Sequence, residues 1–173
     1  MTPHTARTWS RIGVTPVIRV NGGSRRHLSV AALCCYKPGQ RPRLVFRHTG
    51  DRRADGRKGF SWKDLRDLLT ATHTQLGGPI VLVWDNVGLH LSRAMRAWTA
   101  ARAWLTVFQL PACAPDLNPM EGIGSSLRRT SLADIAFTDY THLLTAVRRG
   151  LRQIQYRPTI ITSLATSPGD ITH

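Results

Sequence analysis

Apolar positions along the chain fall into two kinds of block: short runs bounded by turn residues, and longer stretches that repeat every three to four positions. Residues 28–36 are an almost unbroken apolar run, and 43–48 return after Pro38 and Gly39, which predicts two strands joined as a hairpin. Upstream, 14–20 hold a shorter apolar stretch before Asn21, Gly22 and Gly23, while 1–13 are polar and without periodicity. Leu65, Leu68, Leu69, Thr72 and Leu76 share one helical face, with Ser61 placed to cap the helix, Asp64 three residues on, and Gly77 and Gly78 to end it. Five apolar residues at 80–84 predict a strand buried on both faces. Ser92 opens a further helix with Met95, Trp98 and Ala101 or Arg102 inward, and 105–110 read as the next strand. After the proline-bounded connector 111–115 come a helix over 119–130 and an amphipathic helix over 139–156. In the latter Leu143, Leu144, Val147, Leu151 and Ile154 face inward and Arg148, Arg149 and Arg152 face water. Beyond Pro158 the pattern weakens, and a frayed tail over 159–173 is expected.

A strand meander followed by alternating helices and strands predicts an α/β fold, a mixed sheet flanked by helices on both faces. At 173 residues the chain has room for one domain with a sizeable core and hardly for two, so 1–158 are assigned to a single domain. There is no internal repeat and no low-complexity segment.

Charge changes this picture more than composition does. Apolar residues make up 42% and charged residues 20%, as in an ordinary globular protein, but the net charge is +14 and the isoelectric point about 11.4. Arginine supplies nearly all of the excess, twenty-one residues against three lysines, and its planar fork matches phosphate two bonds at a time. Nucleic acid is the favoured partner on these grounds, a merely basic soluble protein the bland alternative. The loop over 49–60 carries Arg52, Arg53, Arg57 and Lys58, candidates for phosphate contact together with Arg128 and Arg129. No run of apolar residues is long enough for a membrane span, and the N-terminus lacks a signal-peptide core. Cys34, Cys35 and Cys113 are odd in number and lack Cys-x-x-Cys spacing, which argues for buried free thiols and a cytoplasmic setting rather than a disulfide framework or zinc site.

Candidate chemistry gathers between Ile80 and Leu127. Asp85 follows the apolar pentad, at the carboxyl end of a strand where α/β folds collect ligands. Glu121, the only glutamate in the chain, stands at the start of the helix that Asn118 and Pro119 introduce. Two readings of Glu121 stay open: third residue of a capping box, or a carboxylate that shares divalent cations with Asp85 at one rim of the sheet.

The run Val-Leu-Val-Trp-Asp-Asn ending at Asn86, His90 four residues on, a strand, and then Leu-Pro-x-x-Ala-Pro-Asp-Leu-Asn-Pro-Met-Glu ending at Glu121 together resemble the DDE transposases, in the bacterial insertion-sequence branch of the mariner superfamily. The 36 positions between Asp85 and Glu121 are close to that family's spacing between its second and third acidic residues. The likeness runs from Arg7, Thr8 and Trp9 to Gln155, Tyr156, Arg157 and Pro158.

The resemblance implies an RNase H-like fold in which three carboxylates hold two Mg²⁺ (or Mn²⁺) ions for in-line attack on a DNA phosphodiester. It assigns Asp85 and Glu121 as catalytic metal ligands and places Asn86, His90 and Asn118 around them, with orientation of the ligands as their role and a plain helix-start or surface histidine as the alternative for His90. It implies DNA as partner, transposon ends and target, and a homodimer or an upstream transposase segment as a further one. Two departures from the family follow. Its first aspartate lies on a strand upstream of the segment matched by Arg7, so a sheet lacking that strand, a two-metal site not fully formed and a chain inactive by itself are expected. Gly124 stands where relatives place a large aromatic, at a cost of about 1 kcal/mol against alanine. A transposase catalytic-domain fragment is the first reading, and a non-catalytic basic DNA-binding remnant the second.

Overall fold

The structure is a computed structural model that describes residues 12–13, 28–50, 59–112, 114, 117–133, 135, 137 and 139–165. The expected features of 1–11, 14–27 and 51–58, together with Cys113, lie outside the described residues.

Strands β1 (Ser29–Cys35) and β2 (Arg43–Thr49) form the antiparallel hairpin. Its turn closes with the Gln40 N–H donating to the Lys37 carbonyl at 3.0 Å and Gly39 at φ 73°, a left-handed conformation that glycine adopts without a Cβ clash. Helix α1 (Trp62–Leu76) begins in the expected capping box: Asp64 N–H donates to Ser61 Oγ at 3.3 Å, and Ser61 N–H to Asp64 Oδ2 at 2.7 Å. It ends at Gly77, φ 63°. Then follow β3 (Ile80–Trp84), α2 (Arg93–Ala100), β4 (Leu105–Gln109), α3 (Pro119–Thr130), α4 (Tyr140–Gln155) and α5 (Pro158–Ala165).

The α/β architecture is as the pattern predicts. Among the described residues the strands make two ladders, antiparallel β1–β2 and parallel β3–β4 with Trp84 opposite Gln109, instead of one continuous sheet. The core divides accordingly. Ile123 and Leu127 of α3, Leu143, Val147 and Leu151 of α4 and Ile161 of α5 gather around Leu44 of β2. Leu65 and Leu69 of α1 and Met95 of α2 gather around Leu82, Trp84 and Leu105 of the parallel pair. Strand β1 stands between them: Ala32 and Cys34 pack on the first cluster, Ala31 and Leu33 on the second, the two-residue alternation of a strand.

Two expectations are corrected. Strand β3 is buried on one face only: Leu82 and Trp84 are covered, whereas Val81 is 67% and Val83 54% exposed. Helices α1 and α2 cover one side, and no element covers the other among the described residues, so the apolar pentad behaves as an alternating strand. The segment after Pro158 is not a frayed tail as far as Ala165. It forms α5, whose Ile161 is wholly buried and accepts a hydrogen bond from Tyr36 Oη at 3.1 Å. Proline suits a first helical position and the adjacent Ile160 and Ile161 supply the apolar contact, too brief a signal to register as periodicity.

Candidate metal and DNA site

Asp85 emerges from β3 at the end where the parallel pair finishes, and three contacts fix this corner. Leu110 N–H donates to the Trp84 carbonyl at 2.8 Å, and Asn86 Nδ2 donates to the Leu110 carbonyl at 3.0 Å, so Asn86 fastens the exit of β3 to the exit of β4. Val87 N–H donates to Asp85 Oδ1 at 3.2 Å, turning the chain around its own carboxylate. His90 Nδ1 lies 3.0 Å from that same Oδ1 and 3.2 Å from the Asp85 carbonyl. Both neighbours are acceptors, so Nδ1 carries the proton.

The His90 ring is itself held. It stacks on the Trp84 indole with centroids 4.5 Å apart and planes 3° from parallel. Trp84 is buried, and its Nε1 has no hydrogen-bond partner among the described residues. The sequence alone did not single out Trp84; its position immediately before Asp85 is the only hint it offers. Oδ1 of Asp85 is thus occupied by two donors, while Oδ2 meets no partner among the described residues. The side chain is 42% exposed, which leaves an oxygen ligand open to the rim.

Glu121 lies in the first turn of α3, on the face opposite Ile123 and Leu127. Asn118 caps that helix by accepting from Met120 N–H at 3.1 Å. The reciprocal bond of a capping box is not made, and among the described residues no hydrogen bond or ion pair holds the exposed Glu121 carboxylate. Met120 instead anchors the turn to the hairpin, its Sδ 3.4 Å from Cys34 Sγ.

The structure therefore brings Asp85, Asn86 and His90 together, and Asn118 with Glu121. The two groups rest on different core clusters, and no bond or common partner joins Asp85 to Glu121 among the described residues. Nor do those residues place three or more of His, Cys, Asp and Glu where they could hold one metal ion. An open carboxylate oxygen on Asp85 and, among the described residues, an unengaged carboxylate on Glu121 are the hard oxygen donors that Mg²⁺ or Mn²⁺ takes, so the donor type fits.

Of the basic candidates, Arg128 and Arg129 occupy the exposed last turn of α3, while Arg52, Arg53, Arg57 and Lys58 lie outside the described residues. Cys34 and Cys35 are free and half-buried, and burial, the first cause for each, pushes both thiols up to about 11. That suits packing rather than nucleophilic chemistry. No described helix is long and apolar enough to cross a membrane.

No curated protein matches the chain. Several solved structures do, among them the catalytic domain of Mos1 mariner transposase and the Mos1 mariner paired end complex with Mn, each 15% identical over 84% of this chain with a TM-score of 0.47. The match spans 83% of the former chain and 56% of the latter. A family model described as DDE superfamily endonuclease matches residues 2–144. With that match covering most of its length, the chain belongs to the DDE superfamily endonucleases.

Proposed function

We propose that the chain is the RNase H-like catalytic part of a transposase that acts on DNA phosphodiesters, with Asp85 and Glu121 as two of its metal-holding carboxylates. The observation that carries this reading is the corner after β3. One Asp85 oxygen is fixed by Val87 N–H and His90, and the other meets no partner among the described residues at the end of a parallel strand pair.

Asp85 and Glu121 would hold the divalent ions; when bound, these supply charge to the attacking and leaving oxygens of the phosphodiester. The chain's own residues do the rest. Asn86 ties the β3 and β4 exits together, so that Asp85 is presented from a rigid edge. His90 orients the carboxylate, and Asn118 fixes the first turn of α3 and with it the origin of Glu121. Arg128 and Arg129, together with Arg52, Arg53, Arg57 and Lys58, neutralise phosphates along the duplex. A homodimer or an upstream transposase segment is proposed as the further partner.

A two-ion site needs more ligands than two carboxylates, and the described residues gather no three-residue group. This 173-residue polypeptide by itself is therefore expected to bind DNA in a salt-sensitive manner but not to nick plasmid DNA in Mg²⁺ or Mn²⁺. Nicking that disappears in Glu121→Ala would overturn the inactivity and uphold the site. DNA affinity that does not change between low and moderate salt would count against DNA as the partner. The same lack of a three-ligand group favours a second reading, a basic DNA-binding remnant. Mn²⁺ binding that Asp85→Asn and Glu121→Gln each weaken supports the first reading, and absence of any Mn²⁺ binding supports the second.

A further inference from the structure

Gly124 and Arg128 share the solvent face of α3 with Glu121. Residue 128 lies seven positions after 121, about two turns, and so returns to nearly the same side of the helix, with Gly124 and Ser125 between. Helical side chains lean toward the N-terminus, and Arg128 follows this rule. Its Nη2 donates to Ser125 Oγ at 3.1 Å, and its Nη1 lies 3.7 Å from where a Cβ on Gly124 would stand. The guanidinium is thereby drawn back to the level of Gly124, about 5 Å along the axis from Glu121.

The usual structural role of a basic residue in a last turn is to face the terminal carbonyls and complement the helix dipole. Arg128 points its charge the other way, and no carboxylate pairs with it among the described residues. Packing does not explain Gly124 either. Among the described residues a methyl there would meet only the guanidinium, at ordinary contact distance, yet glycine inside a helix costs about 1 kcal/mol against alanine. What the bare position provides is a shallow surface, unobstructed among the described residues, across which the arginine lies beside the carboxylate.

We propose that Arg128, laid over Gly124, grips a DNA backbone phosphate next to the one that Glu121 serves, and that Gly124 keeps the approach of the strand open. This rests on the DNA reading given above. A separation of about 5 Å corresponds to one or two phosphates at 3.4 Å of axis per strand step, and an arginine fork meets a phosphate two bonds at a time.

The test is DNA binding by the full chain, followed by fluorescence anisotropy of a labelled duplex over a series of salt concentrations. Arg128→Gln is expected to weaken binding about three- to tenfold and to flatten the plot of log affinity against log salt by about one contact, whereas Arg128→Lys keeps the slope. Gly124→Leu leaves the charge count unchanged and is expected to weaken binding by a similar factor, with a thermal midpoint no lower than wild type. Arg152→Gln, on the outer side of α4, serves as the comparison. If wild-type binding is salt-dependent and Arg152→Gln changes it while Arg128→Gln and Gly124→Leu do not, this proposal is overturned and the DNA reading stands. If wild-type protein shows no salt-dependent binding to DNA, the DNA reading falls and this proposal falls with it.

Discussion

The α3–α5 side of the molecule and the β3–β4 side treat similar apolar residues differently. On the first, each helix presents one stripe and finds cover from two neighbours and the hairpin, so that Ile123, Leu151 and Ile161 are almost wholly sealed. On the second, a two-stranded parallel ladder has helices on one side only, and Val81, Val83 and Phe108 remain exposed. The difference lies in how many surfaces an element has to cover: a helix buries one stripe, a strand two faces. It bears on the proposed site as well. Asp85 belongs to the half-covered side but is braced by hydrogen bonds and a stacked ring, whereas Glu121 belongs to the sealed side and its carboxylate meets no partner among the described residues. The geometry of the pair thus depends on how two separately packed units meet across β1.

The largest effects should come from emptying either cluster. Met95→Ala and Ile161→Ala each remove a wholly buried side chain and should cost about 2–5 kcal/mol. Hydrogen exchange then tells whether the loss stays local. If Met95→Ala speeds exchange in α1 and α2 and leaves α4 protected, the two clusters open as separate units; uniform acceleration would show that β1 couples them.

Next comes the crossing of α3 and α4 at Gly150, where an added Cβ would overlap Leu127 Cδ1 and lie 2.7 Å from Ser131 Cβ. Gly150→Ala should lower stability by about 2 kcal/mol in denaturant titration, overpacking outweighing the gain in helix propensity. Gly124→Ala on the neighbouring helix meets no such obstacle and should raise stability by up to about 1 kcal/mol. Equal behaviour of the two glycines would contradict the packing described for that crossing.

At the site itself, His90→Ala removes both the neighbour of Asp85 Oδ1 and the ring stacked on Trp84. Mn²⁺ affinity measured by titration should fall about tenfold. Unchanged affinity in a folded variant would mean that His90 does not orient Asp85.

The smallest effect is a pH dependence at the hairpin. Burial first, and the Arg148 guanidinium second, lower the pKa of His48 below its usual 6.5. The unfolded chain then takes up the proton at a higher pH than the folded one. The stability His48 lends is therefore full above pH 6.5 and declines as pH falls through its lowered folded value. Thermal melts between pH 5 and 8 should show this decline, and Arg148→Gln, which lets the folded pKa rise toward 6.5, should make it smaller and end it at a higher pH.

Much of this molecule is decided locally, and the sequence by itself determines that part. Ser61 with Asp64, Gly77, Ser92, Asn118 with Pro119 and Asp139 start or stop helices because the groups they satisfy lie within one turn of backbone. The hydrophobic stripe of α4 and the family motif around Asp85 and Glu121 are legible for the same reason, as both are spacings along the chain. Only the tertiary structure decided that β3 is covered on one face, that Ile161 closes a core, and that Trp84 is the plate on which His90 rests. It also decided that Glu121 is released from capping while Asp85 is pinned. Each of these depends on which distant element comes to lie alongside, and burial is a property of that meeting rather than of either segment.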